Sequence, residues 1–193
     1  MEEVYDYASV RTERASWPAV AKSVAKLDGC YALWRGEIGL YSDEGFLMVV
    51  RDGPQAPREL ATPDGVLSMS VERLHATVRP TETTPPTLDG VYAHRWFEFD
   101  EADWDEFLEL SDGAWPDFEA AFDGTRIIGF WRSLDTPGRV LLVTRYPDLA
   151  TWERSRPNNP QRVEGVAAAR QRFMRRAELT KRTIVRVTRL VAL

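Results

Sequence analysis

The sequence has few of the side chains from which metal sites and nucleophilic active sites are built. Its 193 residues include one cysteine and two histidines. A single cysteine cannot form an internal disulfide, and a closed zinc site lacks enough sulfur and imidazole ligands. The chain also has no G-x-S-x-G, G-x-x-x-x-G-K-[ST], G-x-G-x-x-G or H-E-x-x-H motif. We therefore expect no metal site and no resident cofactor.

Long apolar runs and an excess of positive charge are absent as well. No stretch approaches the roughly 20 consecutive apolar residues that span a bilayer, and the first residues lack the basic start and apolar run of a secretory signal. A formal charge of −5 and a pI near 5.2 disfavour nucleic acid and anionic membranes, which bind basic surfaces. These features predict a cytoplasmic protein, monomeric or homo-oligomeric, without nucleic-acid or membrane partners.

What the sequence does contain is a duplication. The stretch VYDYASV at 4–10 returns as VYAHRWF at 91–97, and the correspondence continues at a constant offset of 87 into the next segment, where Trp17 matches Trp104. The pattern in both places is that of a strand followed by a helix. Looking for repeats of this kind guards against misreading a fold, and a period near 90 residues indicates a domain-sized duplication rather than a solenoid.

Two further pairs of segments support the duplication. The apolar runs FLMVVR at 46–51 and VLLVTR at 140–145 match at an offset of 94 and are typical of buried strands that end in arginine. The segments LWRG at 33–36 and FWRS at 130–133 also correspond, but only at another offset. Loop insertions between strands would produce such drift.

The boundary between the two copies is marked by composition. Residues 79–90, RPTETTPPTLDG, include three prolines and few apolar side chains. Proline removes backbone donors that a helix or a central strand needs. We predict a first repeat over 1–78, a linker over 79–90 and a second repeat over 91–193.

The order of elements is clearest in the second repeat. The pattern predicts a strand over 91–99, a helix from about Asp100 interrupted at Gly113 and Pro116, strands near 126–133 and 139–146, helices near 148–155 and 162–178, and a last strand over 182–191. This is the β-α-β-β-α-β order of the ferredoxin-like fold, in which two helices cover one face of a four-stranded antiparallel sheet. The helix near 162–178 has one apolar side, formed by Val163, Val166, Ala167, Phe173, Met174 and Ala177.

The first repeat has the same order with a reduced second helix, because residues 53–65 include three prolines. A single sheet of this kind has one bare face, which a second sheet can cover. The predicted fold class is therefore α+β, with two tandem ferredoxin-like repeats that form a pseudo-dimeric α/β barrel within one chain.

Residues 90–156 resemble the NIPSNAP family. The resemblance rests on GVYAHRWFEFD leading into an acidic, tryptophan-rich helix, on GFWRS, and on VLLVTRYPDLATWERSR. It implies the dimeric α/β-barrel form of the ferredoxin-like fold. The wider barrel superfamily includes haem-dependent enzymes, cofactor-free monooxygenases and small-ligand-binding proteins, so the resemblance implies a fold and leaves the reaction open.

Candidate catalytic residues come from the first strands of the two repeats. Alternation along 91–97 places Tyr92, His94 and Trp96 on one face, which is expected to line the barrel interior together with Tyr5 and Tyr7. A neutral imidazole there is suited to act as a base near neutral pH or to bind a haem iron. His94, Tyr7 and Tyr92 are therefore the catalytic candidates. The alternative is that His94 makes one hydrogen bond at a partly buried position.

Aromatic and cationic side chains on the strands are the candidate ligand-binding groups: Trp96, Trp131, Arg132, Tyr5 and His75. Arg132, with Arg95 and Arg145, lies in a strand or at its end, where a guanidinium can hold a carboxylate through two hydrogen bonds. Solvation or salt bridging is the alternative for these arginines. His75 is expected on an exposed or edge strand.

Charge is strongly segregated along the second repeat. Residues 98–123 contain eleven acidic and no basic side chains, whereas 154–189 contain eleven basic and two acidic ones. Helices that lie side by side on one sheet would bring these segments together, so the pattern favours helix docking over a nucleic-acid arm.

Together these features predict a protein that binds a small, mostly apolar molecule in a barrel cavity. The alternatives are a cofactor-free monooxygenase- or isomerase-like enzyme, a haem-binding protein, or an assembly protein whose barrel core is filled by side chains.

Overall fold

Eight strands close into a single antiparallel barrel, and the helices lie outside it. The computed structural model describes residues 3–51, 60–156, 159 and 166–193. The strands are β1 (Val4–Thr12), β2 (Cys30–Ile38), β3 (Glu44–Arg51), β4 (Val66–Arg79), β5 (Val91–Phe99), β6 (Arg126–Ser133), β7 (Arg139–Tyr146) and β8 (Thr180–Leu190). The helices are α1 (Trp17–Val24), α2 (Trp104–Asp112), α3 (Trp115–Ala121), α4 (Leu149–Arg154) and α5 (Ala167–Leu179).

The strand order shows the two repeats directly. Around the barrel it is β1-β3-β2-β8-β5-β7-β6-β4. The first repeat contributes β4-β1-β3-β2 and the second contributes β8-β5-β7-β6, and each set has the order of a ferredoxin-like sheet. Pairing of β2 with β8 and of β4 with β6 closes the ring. The chain is an α+β protein in which two tandem ferredoxin-like repeats form a pseudo-dimeric barrel.

Strand pairing also shows which residues of the repeats are equivalent. Tyr7 pairs with Met48 in the first repeat, and His94 pairs with Val143 in the second. If Tyr7 and His94 correspond at the offset of 87, then β3 and β7 correspond at 143 minus 48, which is 95. The offset of 94 predicted from the apolar runs is therefore wrong by one residue. A slip of one residue moves every side chain of a strand to its other face.

This slip changes the meaning of the two arginines at the ends of those runs. Arg51 pairs with Val4, on the outer face, and forms an ion pair with Asp6. Arg145 pairs with Tyr92, and this pair belongs to the interior face of the sheet. The two arginines are thus not equivalent.

The third sequence correspondence is confirmed by the register. Trp34 pairs with Phe46, and Trp131 pairs with Leu141. Because Phe46 and Leu141 are themselves related by the offset of 95, Trp34 and Trp131 occupy equivalent places at an offset of 97. Both indoles are fully buried inside the barrel. The LWRG and FWRS segments are therefore matching parts of β2 and β6.

The second repeat carries helices on its outer face as the sequence predicts, with small differences at their ends. A 3-10 turn over Glu101–Asp103 precedes α2, and the interruption near Gly113 separates α2 from α3. The acidic α2 and the basic α5 are neighbours, linked by Arg175 Nε to Glu106 Oε1 at 2.6 Å. Helix docking thus accounts for this part of the charge segregation.

The sheet-facing side of α5 differs from the prediction. The apolar residues expected to form it include Met174, which is 64% exposed, whereas Ala169 and Arg176 are buried. The predicted start of this helix near residue 162 lies outside the described residues. The buried face of α5 thus includes the charged Arg176, whereas Met174 faces solvent.

The first repeat is covered by α1. The predicted reduced helix over 53–65 falls largely outside the described residues, and residues 60–65 contain no helix. Residues 80–90 connect β4 to β5 without helix or strand.

Candidate functional site

His94 lies at the centre of the barrel in a short chain of hydrogen bonds. Its Nδ1 is 2.9 Å from the hydroxyl of Tyr7, and its Nε2 is 3.0 Å from the hydroxyl of Thr188. The Thr188 hydroxyl also donates to the carbonyl of Tyr92 at 3.3 Å. These partners are consistent with Tyr7 donating to Nδ1 and Nε2–H donating to Thr188. Burial, reinforced by Arg186, lowers the pKa of His94 to about 3.

Aromatic side chains fill the space around this chain. His94 lies 4.8 Å from the ring centres of both Trp34 and Phe46, and Tyr7 stacks on Phe46 at 5.0 Å. These rings come from strands of both repeats, and each is at most 2% exposed. The part of the barrel interior around His94 is therefore closely packed, and the ligand cavity predicted inside the barrel stays a prediction.

The catalytic candidates are thus brought together, but in an unreactive setting. Tyr7 and His94 contact each other, while the Tyr92 hydroxyl donates to the Leu88 carbonyl at 2.6 Å. An imidazole with a pKa near 3 is a weak base, and burial raises the pKa of Tyr7 well above its ordinary value. A catalytic role for these residues stays a prediction for which the geometry offers no substrate position.

The same geometry does not fit haem at His94. Axial ligation needs a free imidazole nitrogen facing a large cavity. Both nitrogens of His94 have hydrogen-bond partners and its side chain is 1% exposed among aromatic rings. In the described part of the chain, no group of three or more His, Cys, Asp or Glu side chains is placed to hold a metal ion.

The predicted ligand-binding residues do not form one site. Tyr5, Trp96 and Trp131 belong to the packed interior. His75 on β4 pairs with Arg132 on β6. His75 therefore does not lie on the edge strand that the sequence predicts. Arg132 stacks on Trp104 and forms an ion pair with Glu101, outside the barrel.

A pocket does lie outside the barrel, between the sheet of the second repeat and α5. We call it the α5 pocket; its volume is about 370 Å³. It is lined by Ala93, Arg95, Phe97, Trp115, Phe118, Ile127, Leu142, Thr144, Tyr146, Ser155, Phe173, Arg176, Ala177, Thr180, Lys181, Arg182 and Thr183. The strand residues point outward because they alternate with Tyr92, His94 and Trp96. Apolar and aromatic side chains supply the larger part of the wall surface, and the polar side chains are cations, hydroxyls and one phenol.

Two arginines and a tyrosine distinguish this pocket electrostatically. Arg176 is 8% exposed, and burial, together with repulsion from Arg95, lowers its pKa to about 9. Burial also lowers the pKa of Arg95. For Tyr146 burial raises the pKa, although both guanidinium groups oppose that change. The phenol therefore stays protonated near neutral pH, and both arginines stay mostly charged.

Sequence reasoning found one of these three residues. Among the arginines considered for a carboxylate, Arg132 pairs with Glu101, and Arg145 donates to backbone carbonyls of Asp89 and Gly124. Arg95 is the one that reaches the α5 pocket. Arg176 was missed because arginines on a polar helix usually face solvent. Tyr146 was missed because its place at the end of a strand carries no signature.

A second groove lies beside α1 and the C-terminal residues. It is wide and open, with a volume of about 1060 Å³, and it is lined by residues that include Trp17, Val191 and Leu193. Its charged groups include Lys22 and Lys26, which are exposed. The α5 pocket is the better candidate because it combines enclosure with buried charge.

Comparison with models of known protein families finds no match, and comparison with curated protein sequences finds none either. Similar solved structures include a candidate monooxygenase from Lactobacillus acidophilus NCFM, with a TM-score of 0.68 and 11% identity over all of both chains. An anthrone oxidase-like protein gives a TM-score of 0.70 at 12% identity, covering all of this chain and 92% of the other.

A third similar structure is a ferredoxin-fold protein from Listeria monocytogenes 4b F2365 related to antibiotic biosynthesis monooxygenases. It gives a TM-score of 0.59 at 9% identity, covering all of this chain and 97% of the other. At such identities these likenesses show the fold alone. Among the described helices, none is long and apolar enough to cross a membrane.

Proposed function

We propose that this chain binds a small, mostly apolar molecule in the α5 pocket. The observation that carries the proposal is the pocket itself: about 370 Å³ of space in which aromatic and aliphatic side chains are combined with cationic and hydroxyl groups. Ligand sites in proteins have volumes of about 300–1,000 Å³ and combine apolar walls with polar groups that fix the orientation of the ligand. Similar folds in a candidate monooxygenase and an anthrone oxidase-like protein support a small organic ligand.

Binding is better supported than catalysis. The described polar groups of the pocket are arginine, lysine, serine, threonine and tyrosine side chains, none of which is an effective base near neutral pH. A monooxygenase- or isomerase-like reaction would thus need a substrate that is itself acidic. Membership of the NIPSNAP family is a secondary part of the proposal and is supported by the sequence resemblance. A cytoplasmic location is another and is supported by composition.

Two substitutions on one helix test the proposal. Ala177 lines the α5 pocket and is exposed, so Ala177→Trp should obstruct the pocket without disturbing the core. Ala168 is also exposed on α5 but does not line the pocket, which makes Ala168→Trp the matched control.

The probe is the neutral, polarity-sensitive dye prodan, titrated into the full chain. We expect a saturable blue-shifted emission in wild type and in Ala168→Trp, and an affinity reduced by about tenfold or more in Ala177→Trp. Equal binding by both variants, or emission that never saturates, would show that the α5 pocket is not the binding site.

A further inference from the structure

Two of the three arginines that line the α5 pocket, Arg95 and Arg176, differ from other strand and helix arginines in what surrounds them. The third, Arg182, is exposed and forms an ion pair with Glu98. Arg79, Arg132 and Arg139 each form an ion pair with a glutamate. Among the described residues, no carboxylate forms an ion pair with Arg95 or Arg176. The chain carries 30 acidic residues, so the lack of a described acidic partner at this place is not a matter of composition.

Arg176 is instead surrounded by aromatic rings and one hydroxyl. Its guanidinium carbon lies 4.6 Å from the ring centre of Phe97 and 4.8 Å from that of Phe173. Its Nη1 donates to the hydroxyl of Ser111 at 3.1 Å. Cation–π contacts of this kind offset part of the cost of burying the charge. They do nothing to relieve the repulsion from Arg95, which reaches the same pocket from β5.

Lys181, the other cation of the lining, is exposed and forms an ion pair with Asp100. The buried polar side chains that remain in this region carry hydroxyl or indole groups that can donate. The Tyr146 hydroxyl stays protonated, and Thr144 and Ser155 lie beside it in the pocket lining. Trp115 lines the pocket, is fully buried, and its indole N–H has no acceptor among the described residues. A buried region rich in donors and positive charge is completed by a molecule that brings acceptors and negative charge.

The rest of the wall restricts what else that molecule carries. Ala93, Ile127 and Leu142 together with the rings of Phe97, Phe118 and Phe173 present apolar surface. A large polar ligand would leave its own groups unpaired against this surface. The wall therefore suits a compact apolar or aromatic body.

We propose that the α5 pocket selects organic anions, specifically apolar or aromatic carboxylates, whose carboxylate is held by Arg95 and Arg176 with the Tyr146 hydroxyl alongside. This inference rests on the proposed function and specifies the ligand class for the same pocket. The first repeat has Ala8 at the place equivalent to Arg95 at the offset of 87. The anion site is therefore a property of the second repeat.

The test compares acids with alcohols of the same shape. Prodan bound to the full chain is displaced by 2-naphthoate or by 2-naphthalenemethanol, and a second pair, octanoate and octanol, repeats the comparison for an aliphatic body. We expect each acid to bind about 10- to 100-fold more tightly than its alcohol, as charge-assisted hydrogen bonds to two arginines provide.

Arg95→Met and Arg176→Met should each reduce naphthoate affinity by about tenfold or more while leaving the alcohol within about twofold. Arg172→Met is the matched control, since it removes an exposed arginine of α5 that does not line the pocket. Thermal unfolding of each variant checks its fold. If Arg176→Met does not fold, Arg95→Met alone decides the outcome, because Arg95 is only partly buried.

The results separate the two proposals. Alcohols that bind as tightly as acids, or arginine variants that bind naphthoate like wild type, would overturn the anion site while prodan binding still supports the pocket. Failure of both acids to displace bound prodan also overturns the anion site. If Ala177→Trp and Ala168→Trp bind prodan with equal affinity, the proposed function itself is overturned.

Discussion

Buried neutral His94 makes the protein sensitive to acid in a way that one substitution should remove. Burial lowers the pKa of His94 from 6.5 to about 3. Between these values the unfolded chain binds a proton at this imidazole and the folded chain does not. Stability from this source is thus fully present above pH 6.5 and is lost as pH falls toward 3.

The size of the effect follows from the shift in pKa. Each pH unit in this interval costs about 1.4 kcal/mol, so the whole interval amounts to about 5 kcal/mol. Between pH 7 and pH 4.5 the loss attributable to His94 is about 3 kcal/mol. That is a large fraction of the roughly 5–15 kcal/mol by which domains are stable.

The variant His94→Gln isolates this contribution. A glutamine carries both an acceptor for the Tyr7 hydroxyl and a donor for Thr188, and it does not titrate. Urea unfolding at pH 7 and at pH 4.5 gives the free energy of unfolding of wild type and variant. The difference between the two proteins should change by about 3 kcal/mol between these pH values in favour of the variant. His75→Gln is the control for loss of the other histidine.

Nuclear magnetic resonance of the imidazoles gives a direct check. The chain has two histidines, so the signal absent from His94→Gln is assigned at once. We expect that signal to keep the chemical shift of a neutral ring down to the pH at which the protein unfolds. A His94 signal that titrates above pH 5 in the folded protein, or equal pH dependence of stability in wild type and His94→Gln, would refute the reasoning.

Two further outcomes are expected. Burial raises the pKa of Cys30 to about 11 from 9.0. The thiol should therefore react with Ellman's reagent at pH 8 about 100-fold more slowly in the folded chain than in urea. Similar rates in the folded and the unfolded chain would contradict the burial of this thiol. Gly129→Ala should destabilise the protein by about 1–3 kcal/mol in urea unfolding, because an added Cβ would lie 2.2 Å from the Trp131 ring. Gly113→Ala is the control, because its Cβ would lie no closer than 3.1 Å to the Arg172 side chain and the Glu109 carbonyl. An equal effect of both changes would show that the Trp131 ring is free to move.

The sequence was sufficient to predict the fold because its signals are local. Alternation along β5 assigns Tyr92, His94 and Trp96 to one face, and the structure confirms that this face is the interior. Which residue of β3 corresponds to which residue of β7 could not be predicted in this way. Both runs are almost uniformly apolar, so sliding one by a residue changes little in the pattern although it reverses the faces.

The candidate site was harder to predict because it depends on volumes and on contacts between distant residues. Whether the barrel encloses a cavity depends on how many rings meet inside it, such as Tyr7 on Phe46 and Trp34 on His94. The alternation of residues along a strand does not show how many rings meet inside the barrel. Arg95 was found because strand alternation assigns its face, whereas Arg176 lies on a helix whose charge predicts exposure. The repeat boundaries at 1–78, 79–90 and 91–193 stay a prediction.

The duplication itself explains how Tyr7 and His94 come to share a hydrogen bond. They are equivalent residues of the two repeats, and they meet at the centre of the barrel at 2.9 Å. In a symmetric homodimer such a contact joins two copies of the same residue. A single chain allows a donor on one side and an acceptor on the other, which suits a phenol and an imidazole whose Nδ1 lacks a proton.

The same freedom applies elsewhere in the barrel. On the outer face the place of Arg95 is taken by Ala8 in the first repeat. On the interior face Glu72 and Arg186, which pair with Tyr7 and His94, carry opposite charges. Each pair would be identical in a homodimer, where two copies of Arg95 would also create two α5 pockets. Once the repeats are fused, one sheet can keep an apolar core under α1 while the other exchanges part of that packing for buried charge. The asymmetry between Ala8 and Arg95 is therefore where we expect the two repeats to have separated into a structural half and a ligand-binding half.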